Sequence, residues 1–409
     1  MDESAADPYV DLYARRTAGM TASDVRALFA VASRPEVVSL AGGMPFVQAI
    51  PTEHMLEVVT KVMTEQKDLA LQYGGGVGQL TLRERLAALL LEEGIPATAE
   101  QIVITAGGQQ ALDVIGKIFI DPGDLIAVEA PSYVGALSAF SAYEPSWLQV
   151  PLDDEGMIVD VLDEALRSGQ RPKFIYTIPN FHNPAGVTLS YTRRQQLVAL
   201  AAEFGIPVIE DDPYRKLRFD AEPIPAMRSL DPDNVIYLSS LSKVVAAGLR
   251  IGYVVADGPV LQRFLAAKEA ADLCPSNLTQ LIAQEYLSDE RWRQNLQTLV
   301  NIYRLRRDTC EAALEEFFPA DARWTHPSGG FYSWVTLPAH FDTSRMLAEA
   351  VERLVAYVPG SAFYADGRGR NQLRLAYCYP PEERVREGVR RLGELLADEE
   401  LARAKVTSA

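Results

Sequence analysis

The feature that most constrains the fold is a series of five short β-branched runs separated by helix-period segments. The runs are Ile102-Val103-Ile104-Thr105, Leu125-Ile126-Ala127-Val128, Phe174-Ile175-Tyr176-Thr177, Val208-Ile209-Glu210 and Val235-Ile236-Tyr237-Leu238. Short continuous apolar runs of this kind suit strands buried on both faces, the usual state of a parallel sheet. Between them, segments such as 109–119 and 193–204 carry the helical period and would cover that sheet. Asp121-Pro122-Gly123-Asp124 and Gly205-Ile206-Pro207 supply turns before two of the strands. The pattern predicts an α/β fold over about residues 50–255, with a mostly parallel sheet and helices on both faces. Ligands of such sheets bind at the carboxyl ends of the strands, so the residues just after each run are the candidates for a site.

From about 258 to 315 the pattern turns long and helical, with 291–317 expected as one extended helix. The last hundred or so residues mix strands (330–335, 372–377) with helices (344–355, 381–397), which reads as a smaller α+β unit. Residues 399–409 read as a frayed helix end or disordered tail. A chain of 409 residues suggests two or three parts, placed here as an N-terminal segment 1–45, a large domain 46–285 and a small domain 286–409. The net charge of −16 argues against nucleic acid or an anionic membrane as partner, while local arginines could still hold a small anion. No apolar run is long enough to span a bilayer, and the opening MDESAADPYVDLYARR has no basic stretch leading into an apolar one. A cytoplasmic, soluble protein is the expectation. Cys274, Cys310 and Cys378 are widely spaced, and with four scattered histidines they give no metal-ligand pattern.

The strand ends carry the chemistry. Ser239-Ser240-Leu241-Ser242-Lys243, followed by Arg250, suits a Schiff-base lysine beside a phosphate pocket built from hydroxyls and a guanidinium. Lysine amines form imines with carbonyl cofactors, above all pyridoxal phosphate. Gly107-Gly108-Gln109 stands between a strand and a helix, where backbone N–H groups can converge on a phosphate. Tyr133 could stack on a flat ring. Asn183, in Asn183-Pro184-Ala185-Gly186, is an amide held by a turn and able to donate to a phenolate or carboxylate oxygen, while neighbouring His182 reads as a structural residue. Glu210-Asp211-Asp212 closes an apolar strand, a costly placement unless a cation such as a pyridinium nitrogen is near, and Tyr214 follows within reach of a ring oxygen. Singly, these signals also suit a surface lysine, a glycine turn and packing aromatics.

Taken in order, Gly-rich turn, Tyr, Asn-Pro-x-Gly, Asp-x-x-Tyr, Ser-x-Ser-Lys and Arg, the chain resembles the fold-type I, class I and II aminotransferases. The resemblance also covers Ser39-Leu40-Ala41-Gly42-Gly43-Met44-Pro45, Leu71-Gln72-Tyr73-Gly74, Tyr357-Val358-Pro359-Gly360 and Asn371-Gln372-Leu373-Arg374-Leu375. It is nearest to the 2-aminoadipate, kynurenine and aromatic branch. It implies pyridoxal 5'-phosphate as cofactor, a large domain with a seven-stranded type of sheet, and a homodimer. By it, Lys243 would hold the cofactor and shuttle a proton, Asp211 would face the ring nitrogen, and Tyr214 and Asn183 would bond the ring oxygen. Tyr133 would stack on the ring. Gly108, Gln109, Ser240, Ser242 and Arg250 would hold the phosphate, with Tyr73 reaching in from a partner subunit. Arg374 would clamp the substrate carboxylate beside Asn183 and Gly43. Gly108 stands where many members have serine, Val244–Gly248 lacks a common proline, and Gly74–Gly78 replaces a stiffer turn.

Substrate choice is less legible. Arg26 corresponds to a segment bordering the substrate side chain in that branch and could pair with a distal carboxylate, or simply face solvent. Glutamate with 2-oxoglutarate is the expected pair, and the second amino acid could be aromatic, aliphatic or dicarboxylic. A pyridoxal-phosphate lyase, cyclase, decarboxylase or oxidase using the same lysine is the alternative. A ligand-sensing regulatory domain is a third reading, disfavoured by the acidic charge and the absence of a preceding basic helix-turn-helix.

Overall fold

The computed structural model of the chain describes residues 7–19 and 34–407. Its strands, in chain order, are β1 (Val38–Ser39), β2 (Ile102–Thr105), β3 (Leu125–Ala130), β4 (Ser146–Asp153), β5 (Gly156–Met157), β6 (Ile175–Thr177) and β7 (Val208–Asp211). There follow β8 (Val235–Ser240), β9 (Gly252–Val255), β10 (Arg323–Trp324), β11 (Tyr332–Thr336), β12 (Val355–Ala356), β13 (Val358–Pro359) and β14 (Gln372–Ala376). The main sheet has the order β2-β9-β8-β7-β6-β3-β4-β5. Its centre, from β8 to β4, is parallel throughout. β9 runs antiparallel to both β2 and β8, and the two-residue β5 closes a hairpin on β4.

Period-2 alternation divides the strand side chains between two apolar layers. Ile102 and Ile104 join Leu82, Leu86 and Tyr286 on one face. Val103, Val128, Tyr176 and Ile209 join Leu112, Phe140 and Phe264 on the other. All five runs expected in the main sheet are strands there. β4, β5 and β9 of that sheet were not among them. β4, next to the short edge strand β5, is only partly buried along most of its length and carries Pro151, while β9 is only four residues long.

The orientation of β9 matters for function. Because it is antiparallel to its neighbours, its first residues lie at the edge where β2, β3, β6, β7 and β8 end. Arg250 thereby reaches the same rim as Ser240, which lies opposite Gly252.

The carboxyl-terminal part forms a second, antiparallel sheet in the order β10-β11-β14-β13. β1 pairs with β12, so the chain near Ser39 is tied to its carboxyl-terminal part. The helix Arg291–Phe317 spans both cores: Leu299, Val300 and Tyr303 pack with the main-sheet layer, Cys310, Ala313 and Leu314 with the second. The last helix, Glu382–Thr407, runs past the expected end. An ion pair of Asp398 with Arg353 and a hydrogen bond between Glu400 and His340 hold its extension. Among the described residues no helix is long and apolar enough to cross a membrane, and no His/Cys/Asp/Glu group is arranged to hold a metal ion.

Candidate active site

A cleft of about 310 Å³ opens at the carboxyl rim of the main sheet and is closed on its far side by β11 and β14. Of the residues proposed from sequence, it brings together Gly43, Gly108, Gln109, Tyr133, Asn183, Asp211, Tyr214, Ser240, Ser242, Lys243, Arg250 and Arg374. Tyr73 is not among its walls; it is 77% exposed on the surface of its own chain. Arg26 lies outside the described residues.

One end of the cleft is rich in donors. The helix Gly108–Phe119 starts there, and the amides of its first turn have no partners within the helix. Gly107 has φ +81°, and a Cβ on it would lie 2.6 Å from Arg250 Nη2, so a side chain would be strained and would displace that guanidinium. Arg250 itself adopts φ +53° and donates to Ala106 O at 3.3 Å. Ser240 Oγ lies 3.0 Å from Ile251 O and 2.9 Å from Ser242 Oγ, and accepts from Ser242 N at 3.1 Å. Its single proton serves one of the two oxygens at a time, and when it goes to Ser242 Oγ the Ser242 proton can turn into the cleft. A phosphate fits these groups without any positive charge beyond Arg250.

The opposite end is acidic and dry. Asp211, 7% exposed, ends β7 and accepts from Tyr176 Oη at 2.8 Å. It has no cationic partner among the described residues, and burial pushes its carboxyl up to about 7, although the Tyr176 hydroxyl favours its charged form. A buried acid facing an open cleft without a counter-charge is the environment in which a ring nitrogen would be held protonated. Glu129 accepts from Thr177 Oγ1 and Ile178 N, and His182 Nε2 lies 3.0 Å from it. His182 Nδ1 in turn accepts from Ala185 N at 3.2 Å. His182 is thus a buried brace of the turn that carries Asn183.

Between these ends sits Lys243, in a single wide π-turn, Ser242–Ala246. Its Nζ donates to Gly43 O at 2.9 Å and lies 5.4 Å from the Phe331 ring centre. Withdrawal from water, reinforced by the positive charges of Arg374 and Arg250, pushes its amine down to about 8. An appreciable neutral fraction is therefore present near neutral pH, the form needed to attack a carbonyl.

Arg374, on β14 and 4% exposed, closes the far wall. Its Nη1 donates to Asn183 Oδ1 at 2.8 Å and its Nη2 to Ala41 O. Its guanidinium carbon lies 4.3 Å from the Tyr332 ring centre and 5.0 Å from that of Phe363. Its Nε is buried without a partner among the described residues, an orphaned donor that a carboxylate would satisfy. Because Asn183 Oδ1 faces Arg374, its amide nitrogen is left to donate elsewhere. Burial pushes the Tyr133 phenol up to about 12 and raises Tyr214 well above its ordinary value, so both are neutral donors.

Two residues of the site escaped the sequence reading. Tyr176 bonds Asp211, and Tyr332 lies over Arg374 with its hydroxyl 3.3 Å from that of Tyr214. Tyr176 is the middle residue of β6 and Tyr332 the first of β11, and each falls inside a run expected as strand, where an aromatic looks like core. The only signal was the polar tip of each ring. Together these walls suit a flat heterocycle with a cationic nitrogen, a phosphate, and a carbonyl within reach of Lys243.

Residues 41–392 match the family described as aminotransferase class I and II. The aromatic-amino-acid aminotransferase 1 of Thermococcus litoralis is 42% identical over 397 residues, covering 96% of this chain and 95% of that protein. The 2-aminoadipate transaminase of Thermus thermophilus is 38% identical over 379 residues, covering 92% and 94%. The crystal structure of a kynurenine aminotransferase from Pyrococcus horikoshii, in complex with PMP, is similar with a TM-score of 0.92 at 40% identity, covering 97% of this chain and 99% of that one. The chain belongs to the class I and II aminotransferases and is a fold-type I, pyridoxal-phosphate-dependent transaminase.

Proposed function

We propose that the cleft exchanges an amino group between an L-amino acid and a 2-oxo acid, with glutamate and 2-oxoglutarate as one pair and an aromatic or 2-aminoadipate-type substrate as the other. The observation that carries this reading is one cleft holding an amine pushed down to about 8, an uncompensated buried carboxyl and a buried guanidinium with an orphaned Nε. The names of the relatives, which act on aromatic amino acids and 2-aminoadipate, support the second substrate class.

Bound here, pyridoxal phosphate supplies a carbonyl carbon and an electron-withdrawing ring. Lys243 Nζ would hold the cofactor's carbonyl carbon and would be the base placed to move a proton from the substrate Cα. Asp211 holds the proton on the ring nitrogen. Tyr214 Oη and Asn183 Nδ2 donate to the ring oxygen, and Tyr133 covers a ring face. Gly108, Gln109, Ser240, Ser242 and Arg250 hold the phosphate. Arg374 binds the substrate carboxylate, with Gly43 beside it, and so fixes which Cα bond faces Lys243.

The exposed Tyr73 supports a homodimer in which it completes the partner's phosphate pocket. Arg26 is proposed as the reader of a distal carboxylate. A division at 1–45, 46–285 and 286–409 and a cytoplasmic location complete the reading. The test is to titrate the cofactor-loaded protein with single amino acids, without oxo acid, and follow absorbance. Conversion of the cofactor to its amine form with one equivalent of oxo acid supports it. Product without that conversion would place the protein among the lyases or oxidases.

A further inference from the structure

Tyr332 touches three parts of the site at once. Its hydroxyl lies 3.3 Å from Tyr214 Oη, and the two rings meet edge to face at 86°. Its ring lies 4.3 Å from the Arg374 guanidinium carbon. A Cβ on Gly43 would fall 1.8 Å from its hydroxyl, so the backbone opposite is bare where Tyr332 enters. Burial raises both phenols, and each therefore brings one proton to the pair.

Two protons and two oxygens allow two arrangements. If Tyr214 donates to Tyr332, its proton is unavailable to anything in the cleft. If Tyr332 donates to Tyr214, the Tyr214 proton is free to point into the cleft, and an anionic oxygen there favours this arrangement. Hydrogen bonds in such a chain polarise one another, so the outer donor strengthens the inner one. We infer that Tyr332 is a positioning residue: its hydroxyl aims and strengthens the Tyr214 donor, while its ring holds the Arg374 plane for a carboxylate. This rests on the assignment of Tyr214 to the cofactor ring oxygen.

The consequence is spectroscopic. Donation to the ring oxygen stabilises its negative charge and lowers the affinity for the proton held at Lys243 Nζ, so losing the donor raises the pH at which the bound cofactor's visible absorbance titrates. Tyr214→Phe should raise that midpoint by about one unit, and Tyr332→Phe by about half a unit. In the Tyr214→Phe background, Tyr332→Phe should add nothing, because its effect passes through Tyr214.

The second arm uses α-methyltyrosine and α-methylglutamate, which have no Cα hydrogen to lose, with binding followed by absorbance. Tyr332→Phe keeps the ring and should leave both dissociation constants within about twofold; Tyr332→Leu should weaken both by about five- to tenfold. Thermal melting of each cofactor-loaded variant reports whether it is folded. An unmoved midpoint in Tyr214→Phe would overturn the Tyr214 assignment itself. A shift there with none in Tyr332→Phe, or an additive double variant, would overturn only the relay. Unweakened binding in folded Tyr332→Leu would overturn the role of the ring.

Discussion

The two ends of the cleft solve opposite electrostatic problems. At the phosphate end the partners are helix amides, hydroxyls and the exposed Arg250, groups that water can satisfy when no anion is there. At the ring-nitrogen end Asp211 is buried behind Tyr176, near Glu129, with no cation of its own among the described residues. The first end loses little when empty. The second carries an unpaired acid that a proton or a bound cation must relieve. The difference teaches where binding free energy becomes chemistry: the open end anchors the cofactor, and the buried end changes its electronic state. Lys243 stands where the two meet.

The largest effect is expected at that junction. Lys243→Ala should lose the long-wavelength absorbance of the bound cofactor, with turnover falling by about four orders of magnitude or more. Steady-state rates and a spectrum of the same preparation check both. Substantial turnover without that absorbance would remove Lys243 from the chemistry and dissolve the division between the two ends.

Next in size is Asp211→Asn, which sharpens the comparison because its sign depends on the cofactor. The wild-type carboxyl, pushed up to about 7, binds a proton in the folded state at pH values where the unfolded chain has released it. A raised folded-state pKa means stability that is present at low pH and lost as pH rises toward and through 7. Glu210, also pushed up to about 7 by burial and by neighbouring Asp212, adds to the same slope. The cofactor-free wild type should therefore lose a few kcal/mol between about pH 5 and pH 8. Cofactor-free Asp211→Asn should lose less and be the more stable protein at pH 8. Loaded with cofactor the order should reverse, and turnover should fall by about a hundredfold or more as the ring nitrogen loses its counter-charge. Melting curves at both pH values, with and without cofactor, test it. Equal slopes in both proteins would mean that Asp211 is not the acid that carries the strain.

How much of this could be read from the chain follows the same division. Residues at strand ends were legible, since each stands beside a turn signal that takes it out of the core pattern: Gly107 before Gly108, Pro184 after Asn183, Pro213 before Tyr214. Residues within runs expected as strands were not. Tyr176, between Ile175 and Thr177, and Tyr332, beside Phe331, look like core aromatics, and only the fold shows that their hydroxyls meet Asp211 and Tyr214. The same limit hid strands of the main sheet, β4 and β9 among them. β4 lies next to the edge and carries Pro151, and β9 follows the loop that carries Arg250 too closely to stand out. The last helix was expected to end near 397 because its tail is polar, yet its acids find Arg353 and His340 across the fold. What composition cannot supply in each case is the identity of the facing residue.

Arg374→Ala extends the comparison to the substrate. The guanidinium is buried and stacked between Tyr332 and Phe363, so it belongs with the dry end, and its loss leaves Asn183 Oδ1 and Ala41 O without their donor. KM should rise by about a hundredfold for every amino acid, since the carboxylate contact is common to all. Kinetics with tyrosine, leucine and glutamate check this. A rise confined to glutamate would make Arg374 a reader of side chains.

The smallest effect should come from the open end. Arg250→Ala removes an exposed guanidinium whose charge is shared with salt and whose place water can take. The helix amides and Ser242 remain, so phosphate should still bind, with cofactor affinity weaker by about tenfold, the worth of one charge-assisted hydrogen bond. That loss should shrink in high salt. At saturating cofactor, kcat should return to within about twofold of wild type, because nothing that touches the ring nitrogen or Lys243 has changed. Equilibrium dialysis at two salt concentrations and rates at two cofactor concentrations suffice. A kcat that stays tenfold low at saturation would show that the phosphate end also sets the cofactor's angle toward Lys243, and anchoring could no longer be separated from chemistry.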